Sequence, residues 1–399
     1  MLEDMGYNAL DADNGSYDAW YWAHPPIYMP KACNLPEVSY IKEFVNIPVF
    51  CCGRIGYPDI AADVIRQGKA DAIVVARQFL TDPDWVKKVK SGNIKDIRLC
   101  IACQNGCIGG VYNKPICCSI NPNAMQDDEN KLKPGKGKKK IVIIGGGIGG
   151  MEAARVCSLR GYEPVIIEKD NALGGVFIAA SSPYYKVEDR QLIEWYKRQL
   201  YTLNVNVRLN TLATPELVTT ENPDTIILAT GAKVRQLPVQ GADGQNTVYA
   251  TDYLLSNGSS GNSVIVIGGG LTGCEIAFEL GEKEKKVTLI EALPDILNVP
   301  GLCHANSSML RELLIYNKVK VMTSTKVKKI TPKSVIVETE SETLELFADQ
   351  VIISIGYTSG APLEMELKGI TELHVIGDAR KVTNLTGPVW DAYQVANNI

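Results

Sequence analysis

The first 95 residues alternate short apolar runs with amphipathic stretches. Strand-like runs cover residues 8–13, 47–51 and 70–76, and helical patterns follow at 35–45, 58–67 and 83–91. This alternation is typical of a parallel sheet whose strands are joined by crossover helices. Three such units are fewer than half of those that close a (β/α)8 barrel. The pattern predicts either a small open sheet or, as the helix-like opening residues favour, the last three units of a barrel whose beginning is missing.

A different pattern starts at residue 141: an apolar strand, a glycine turn, a helix and a second strand that ends in an acid. The turn is G-x-G-x-x-G at Gly145, Gly147 and Gly150, and Glu168 ends the second strand. The first glycine permits a tight turn, the second lets backbone amides approach a pyrophosphate, and the third lets the helix pack on the strand. The carboxylate can accept hydrogen bonds from ribose hydroxyls. These residues predict a dinucleotide site.

The same pattern returns at residue 264, with Gly268, Gly270 and Gly273 followed by Glu291. A carboxylate at this position binds an adenosine 2′-hydroxyl and repels a 2′-phosphate, so we expect NAD(H) rather than NADP(H) here. The alternative is that Glu291 points to solvent. Two dinucleotide sites in one chain suit hydride transfer between a nicotinamide and a flavin.

Composition narrows the possible partners. The 399 residues include 45% hydrophobic and 22% charged side chains, and the net charge is −4. This length suits two or three domains, and an acidic balance predicts no binding to nucleic acid or to anionic membranes. No charged-then-apolar leader and no run of 18 apolar residues is present, so we expect a cytoplasmic protein. A homo-oligomer is compatible with the sequence.

Five of the eleven cysteines lie between residues 100 and 118. Cys100, Cys103, Cys107 and Cys118 give the spacing C-x2-C-x3-C-x10-C, and Cys117 is an alternative fourth member. Four thiolates on a short segment suit zinc or an iron–sulfur cluster. Three close cysteines and one distant one favour the cluster. The other six lie in apolar segments and are expected in the core. Residues 126–140 are polar and lysine-rich and predict a linker.

The two glycine turns resemble those of the two-dinucleotide-binding flavoprotein reductases of glutathione-reductase type. Three further segments support the resemblance, residues 224–231, 349–356 and 373–378. The resemblance implies FAD at the first turn and NAD(H) at the second, with Gly356 at the chain crossing beside the NAD site. It also implies further FAD contacts at Gly174, Gly175, Thr230, Gly231, Gly377 and Asp378.

The order of partial barrel, cysteine segment and two Rossmann-like domains resembles the family of 2-enoate reductase, 2,4-dienoyl-CoA reductase and trimethylamine dehydrogenase. Their barrel is of the old yellow enzyme type. The resemblance implies a 4Fe-4S cluster on Cys100, Cys103, Cys107 and Cys118, and an FMN phosphate site at Gly53, Arg54, Ala76 and Arg77. The loop 11–26 resembles the substrate-side loop of 2-enoate reductases more than that of dienoyl-CoA reductases. Its Tyr17, Tyr21 and His24 are weak candidates for a substrate pocket, and loop packing explains them equally well.

The resemblance implies that electrons pass from NADH to FAD, through the cluster to FMN, and on to an activated C=C bond of an unsaturated acid, a CoA ester or an enone. Three alternatives stay open: an NADH:acceptor diaphorase or inactive fragment, an amine dehydrogenase of the same fold, and a zinc-stabilised nucleotide-binding scaffold. The predicted divisions are a barrel part at 1–95, a cluster segment at 96–125, a linker at 126–140, an FAD domain at 141–235 and 357–399, and an NAD(H) domain at 236–356.

Overall fold

The computed structural model describes residues 1–109, 115–126, 130–256 and 261–399. The predicted cluster segment, linker and NAD(H) domain therefore each include a few residues, 110–114, 127–129 and 257–260, that lie outside the described ranges. The chain forms two compact units. The first comprises Met1–Lys131, Tyr185–Trp195 and Cys303–Met309, and the second comprises Leu132–Tyr184, Tyr196–Leu302 and Leu310–Ile399. None of the helices in the described ranges is long and apolar enough to span a membrane.

The first unit contains a parallel sheet flanked by short helices. Its strands are β1 (Leu10–Ala12), β2 (Val49–Cys51) and β3 (Ala72–Ile73), and its helices are α1 (Trp20–Ala23), α2 (Leu35–Lys42), α3 (Pro58–Arg66), α4 (Arg77–Thr81) and α5 (Trp85–Lys90). Both strand pairs are parallel, in the order β1-β2-β3. Val38, Val49 and Val64 are buried between the sheet and its helices. The expected alternation of strands and helices is confirmed.

One sequence prediction in this unit is wrong. The apolar run at 70–76 predicts one long strand, but β3 ends at Ile73 and the helix α4 begins at Arg77. The partner strand β2 ends at Cys51, which lies opposite Ile73 in the register, so the later residues have no strand to pair with. The chain turns into a helix instead.

The second unit contains the remaining elements. Its strands are β4 (Lys140–Ile144), β5 (Glu163–Ile167), β6 (Asn206–Arg208), β7 (Thr225–Leu228), β8 (Ala232–Val234), β9 (Thr247–Tyr249), β10 (Ser263–Ile267), β11 (Lys286–Ile290), β12 (Lys320–Met322), β13 (Lys326–Ile330), β14 (Ser334–Glu338), β15 (Thr343–Phe347), β16 (Gln350–Ile353), β17 (Tyr357–Ser359) and β18 (Glu372–Val375). Its helices are α6 (Ile148–Leu159), α7 (Phe177–Ala180), α8 (Val187–Thr202), α9 (Pro215–Thr220), α10 (Ala250–Leu255), α11 (Leu271–Glu282), α12 (His304–Tyr316), α13 (Glu364–Leu367) and α14 (Thr386–Asn398). The first parts of α8 and α12 belong to the first unit.

Two five-stranded parallel sheets dominate this unit and follow one plan. Their orders are β18-β7-β4-β5-β6 and β9-β16-β10-β11-β12. In each sheet the strand before the glycine turn, β4 or β10, is central. The strand that ends before the acid, β5 or β11, lies on one side of it, and β7 or β16 lies on the other. All neighbours in both sheets are parallel. The expected internal repeat and the Rossmann-like class are confirmed, and the antiparallel β13-β14-β15 sheet is inserted in the second copy.

The predicted linker from residue 132 onwards belongs to the second unit and is held there by hydrogen bonds. The amide of Lys133 donates to Asn397 Oδ1 at 2.9 Å, and the amide of Gly135 donates to the Arg160 carbonyl at 3.1 Å. Residues 130–140 therefore adopt a defined path although their composition offers little apolar surface to bury.

Candidate functional site

The first glycine turn connects β4 to α6 with very little room for side chains. Gly145 has φ +108°, and its amide donates to the Ile167 carbonyl at 2.9 Å. A Cβ at Gly150 would lie 1.9 Å from the Gly145 carbonyl oxygen, so only glycine fits there. A Cβ at Gly147, the residue that caps α6, would meet nothing within 4 Å. There is therefore open space beside the start of α6, where a pyrophosphate could approach the first amides of the helix.

The carboxylate of Glu168 is fixed at this turn. Its Oε2 accepts a hydrogen bond from the Gly146 amide at 2.6 Å, and its Oε1 accepts one from the Asp170 amide at 2.8 Å. The residue is buried. Each oxygen retains acceptor capacity for a ribose hydroxyl.

The second glycine turn has the same contacts at the equivalent residues. Gly268 has φ +109°, and a Cβ at Gly273 would lie 1.9 Å from the Gly268 carbonyl oxygen. Glu291 Oε2 accepts from the Gly269 amide at 2.6 Å, and its Oε1 accepts from the Leu293 amide at 2.8 Å. Gly270 again has open space where a Cβ would be. Glu291 therefore lies at the turn and does not point away from it.

Two other predicted FAD segments lie close to the first turn in the fold. The Gly174 amide donates to the Gly146 carbonyl at 2.9 Å, and Gly175 would place a Cβ 3.2 Å from the Gly147 Cα atom. Thr230 follows β7, the strand next to β4, and its Oγ1 is buried and has no hydrogen-bond partner among the described residues. A buried hydroxyl without a partner costs free energy, which a bound ligand would recover.

The remaining predicted dinucleotide contacts are backbone turns with left-handed glycines. Gly231, Gly356 and Gly377 have φ values of +72°, +87° and +60°. After Gly377, the carboxylate of Asp378 accepts a hydrogen bond from the Thr383 amide at 3.1 Å, and burial raises the pKa of this carboxyl. The structure thus brings Gly377 and Asp378 to the end of β18, in the same sheet as the first turn.

The four predicted cysteine ligands line one cavity in the first unit. This cavity is bounded by Arg77, Leu80, Thr81, Cys100, Ile101, Cys103, Gln104, Gly106, Cys107, Cys118, Ser119 and Ile120. Burial raises the pKa of the Cys107 thiol to about 12 and also raises the pKa values of Cys103 and Cys118. These three thiols stay protonated at neutral pH unless a metal displaces the protons.

Hydroxyl groups flank two of these thiols. Thr81 Oγ1 lies 3.6 Å from Cys118 Sγ, and the Cys103 thiol donates to Ser119 Oγ at 3.5 Å. Cys117 does not line the cavity, because its Sγ is directed to the Gly106 carbonyl oxygen at 3.7 Å. Within the described ranges no three His, Cys, Asp or Glu side chains converge closely enough to hold a metal ion as they stand.

The side chain of Arg54, a predicted phosphate ligand, is already occupied by protein groups. Its Nη2 forms a buried ion pair with Glu188 Oε1 at 2.7 Å, and the two side chains are 7% and 3% exposed. Its Nη1 donates to the carbonyls of Ile27, at 2.7 Å, and Met29. Displacing Glu188 would leave a buried charge without its partner, which is costly. The Arg54 guanidinium is therefore not free for a phosphate.

The main-chain N–H groups at the predicted phosphate site remain available as hydrogen-bond donors. The amides of Gly53, Arg54, Ala76 and Arg77 donate no hydrogen bond to any described residue. Gly53 and Arg54 have φ values of +93° and +51° at the end of β2, and Ala76 precedes α4. Phosphate contacts predicted at Gly53, Arg54 and Ala76 would be made by main-chain N–H groups, whereas Arg77 also has a guanidinium N–H without a partner among the described residues.

The three weak candidates in the loop 11–26 do not gather at the cysteine cavity. Tyr17 is 96% exposed, and Tyr21 is half-buried. The His24 ring packs edge-on against Trp20 with centroids 4.7 Å apart, and burial, followed by the charge of Arg77, lowers its pKa. A substrate role for these residues stays a prediction.

Sequence reasoning missed the contribution of α4 to the cysteine cavity. Arg77, Leu80 and Thr81 are spaced i, i+3, i+4 and all line it. This spacing places side chains on one helix face, and the same signal in the sequence could have identified them.

Known protein families match both the N-terminal part of the chain and the part with the two glycine turns. Residues 1–96 match the NADH:flavin oxidoreductase / NADH oxidase family, and residues 139–373 match the pyridine nucleotide-disulphide oxidoreductases. The chain is 40% identical over 403 residues to a cinnamate reductase of Clostridium sporogenes, covering all of this chain and 60% of the relative. It is 34% identical over 408 residues to an NADH oxidase of Thermoanaerobacter brockii, covering 99% of this chain and 62% of the relative.

A solved structure is similar over most of the chain. The complex of 2-naphthoyl-CoA reductase with 2-naphthoyl-CoA matches with a TM-score of 0.88 and 27% identity, covering 94% of this chain and 57% of the other. The chain thus spans about 60% of the length of the relatives it matches. It belongs to the 2-enoate reductase family of flavin oxidoreductases, with a pyridine nucleotide-disulphide oxidoreductase segment at 139–373 that follows an NADH:flavin oxidoreductase / NADH oxidase segment at 1–96.

Proposed function

We propose that this chain oxidises NADH with FAD and passes the electrons, through a 4Fe-4S cluster and FMN, to an activated C=C bond. The observation that carries the proposal is the pair of equivalent glycine turns in one compact unit, each with a carboxylate held 2.6 Å from the turn amide. When bound, the groups would supply a hydride acceptor for NADH, a one-electron relay and a hydride donor to the substrate.

The residues of the second unit suit FAD at the first turn and NADH at the second. At the first turn, Gly147 leaves room for a pyrophosphate, Glu168 offers acceptors for a ribose, and Thr230 has a hydroxyl without a partner. At the second turn, Gly270 and Glu291 offer the same room and the same acceptors. A second intact turn argues against an amine dehydrogenase, which has no need for NAD(H).

The donor set of the cysteine cavity suits an iron–sulfur cluster. Four thiols line it, and no carboxylate or imidazole does. Three close cysteines and one distant one, all facing one cavity, suit the arrangement of cluster ligands better than the paired C-x2-C knuckles of structural zinc. The proposed ligands are Cys100, Cys103, Cys107 and Cys118.

In the first unit, main-chain amides are better placed than side chains to bind the FMN phosphate. The unbonded amides of Gly53, Arg54, Ala76 and Arg77 follow two adjacent parallel strands, where a barrel holds phosphate. The Arg54 side chain, paired with Glu188, would position the loop that presents these amides.

The substrate class follows from the names of the relatives. A cinnamate reductase and a 2-naphthoyl-CoA reductase are both named for aromatic acids or their thioesters, and both are similar over nearly all of this chain. We infer an unsaturated or aromatic carboxylic acid, or its CoA ester, for this chain.

The direct test is anaerobic turnover by the purified chain after reconstitution with FAD, FMN, ferrous iron and sulfide. We expect NADH to bleach the flavin absorbance and cinnamate to restore it, with formation of the saturated acid. NADH-driven ferricyanide reduction without cinnamate reduction would restrict the chain to a diaphorase. No bleaching of FAD by NADH would contradict the proposal.

We also expect Glu291 to set the choice of nicotinamide. The wild-type kcat/KM should favour NADH over NADPH, because the carboxylate accepts a hydrogen bond from the 2′-hydroxyl and repels a 2′-phosphate. In Glu291→Gln the charge is removed, and the preference should fall by about tenfold or more, since a hydrogen bond to a charged group contributes roughly 1.5–3 kcal/mol.

The exposed Glu284 offers a matched control on the same unit. Glu284→Gln removes an equal charge away from the turn and should leave the NADH/NADPH ratio unchanged. A wild-type preference for NADPH would show that Glu291 has no such role.

A further inference from the structure

Arg77 differs from every other residue that lines the cysteine cavity, because it carries the only charge among them. Its Nη2 donates to the Pro25 carbonyl at 2.9 Å. Its Nη1 is buried and has no hydrogen-bond partner among the described residues. Arg77, which lines the space that the four thiols share, thus has an N–H donor without an acceptor and a positive charge without an ion-pair partner among the described residues.

Arg77 as a whole is half-buried, but a buried N–H of a charged group is costly unless an acceptor or a negative group faces it. The lining residues offer no carboxylate, so the protein supplies no partner of its own within the cavity. Arg54 shows the contrast: in the same unit its guanidinium is neutralised by Glu188 and bonded to carbonyl groups. A negative group in the cavity would supply the partner that Arg77 lacks.

Four cysteine thiolates around a 4Fe-4S core form such a group. With the core in its 2+ state the assembly carries two negative charges, and addition of one electron makes it three, with no bond broken and no proton taken up. Net charge and hydrogen bonds to sulfur are the factors that set cluster potentials. A fixed cation stabilises the reduced, more negative form more than the oxidised form.

We propose that the Arg77 side chain sets the reduction potential of the cluster held by Cys100, Cys103, Cys107 and Cys118. This inference rests on the cluster of the proposed function. It assigns two separate tasks to one residue: the backbone amide of Arg77 lies at the start of α4, where the flavin phosphate is proposed, and its guanidinium acts on the cysteines. Arg77 is a positioning residue of the electron relay and does not take part in bond formation.

The test is a potentiometric titration of the full chain, reconstituted with iron and sulfide, using dithionite as reductant and dye mediators. The reduced cluster is followed by electron paramagnetic resonance, and iron and sulfide are measured in each sample. We expect Arg77→Gln to shift the one-electron equilibrium at least tenfold towards the oxidised cluster, which is a fall of about 59 mV. Arg77→Lys keeps the charge and should fall by less.

The control is Arg66→Gln, which removes the same charge from an exposed helix position, where the side chain is 71% exposed. It should have the wild-type potential. Equal potentials in Arg77→Gln and the wild type, with full iron in both, would overturn the inference and leave the proposed function intact. Loss of iron in both Arg77→Gln and Arg77→Lys would also overturn it, because the role would then be structural. A wild-type chain that binds no iron would refute the cluster and this inference together.

Discussion

Replacing Cys118 with serine is expected to remove iron and acid-labile sulfide from the chain, whereas replacing its neighbour Cys117 should leave both at the wild-type level. Cys118 lines the cavity with the other three thiols, and Cys117 turns away to the Gly106 carbonyl. A serine hydroxyl is a poor ligand for the soft metal sites that thiolates favour. The measurement is iron, zinc and sulfide per chain after anaerobic reconstitution.

The two variants control each other, since each removes one thiol from adjacent positions. FAD content should be unchanged in both, because the glycine turns lie in the other unit. Iron retained in Cys118→Ser and lost in Cys117→Ser would reverse the assignment of the fourth ligand. Zinc in place of iron in the wild type would favour the structural-metal alternative.

The second large effect concerns the third glycine of each turn. In Gly150→Ala the new methyl group would lie 1.9 Å from the Gly145 carbonyl oxygen, and in Gly273→Ala it would lie 1.9 Å from that of Gly268. Both turns must open, which moves the amides away from their ligand. We expect Gly150→Ala to bind FAD at least ~100-fold more weakly, a loss of about 2.8 kcal/mol.

Gly273→Ala should behave differently although the steric clash is the same. It should retain FAD, which dithionite still reduces, and lose reduction by NADH. The measurements are bound flavin per chain and the rate of flavin bleaching by each reductant. Gly360→Ala is the control, because a Cβ there meets nothing within 4 Å. If both turn variants lost FAD equally, the division of labour between the turns would be wrong.

The two glycine-turn patterns correctly predicted the strand, turn and helix at the centre of each five-stranded sheet. The two glycine turns sit between a mostly apolar strand and a helix, and their steric demands are local, so residues 141–168 and 264–291 could be placed from the sequence alone. The structure adds the bonds from Glu168 and Glu291 to the turn amides. These follow from local chain geometry, and a strand that ends in an acid was their only sequence signal.

The cavity around the cysteines was less predictable because it depends on distant segments. Spacing could not separate Cys117 from Cys118, since adjacent residues differ in direction only once the backbone is known. Arg54 was expected to reach a phosphate, but its guanidinium meets Glu188, which lies 134 residues further along the chain. No local sequence pattern predicts an ion pair between residues so far apart in the chain.

The first unit is built from three separate segments of the chain, and this affects the order in which the protein can fold during synthesis. Because the unit takes in Tyr185–Trp195 and Cys303–Met309, the chain passes between the two units five times. Glu188 completes the surroundings of Arg54, and Asn306 donates to the Cys103 carbonyl at 2.9 Å. Chains usually fold from the N-terminus as they leave the ribosome. Here the earliest residues must wait for segments synthesised much later, and the cysteine cavity reaches its final packing only after residue 309 has emerged.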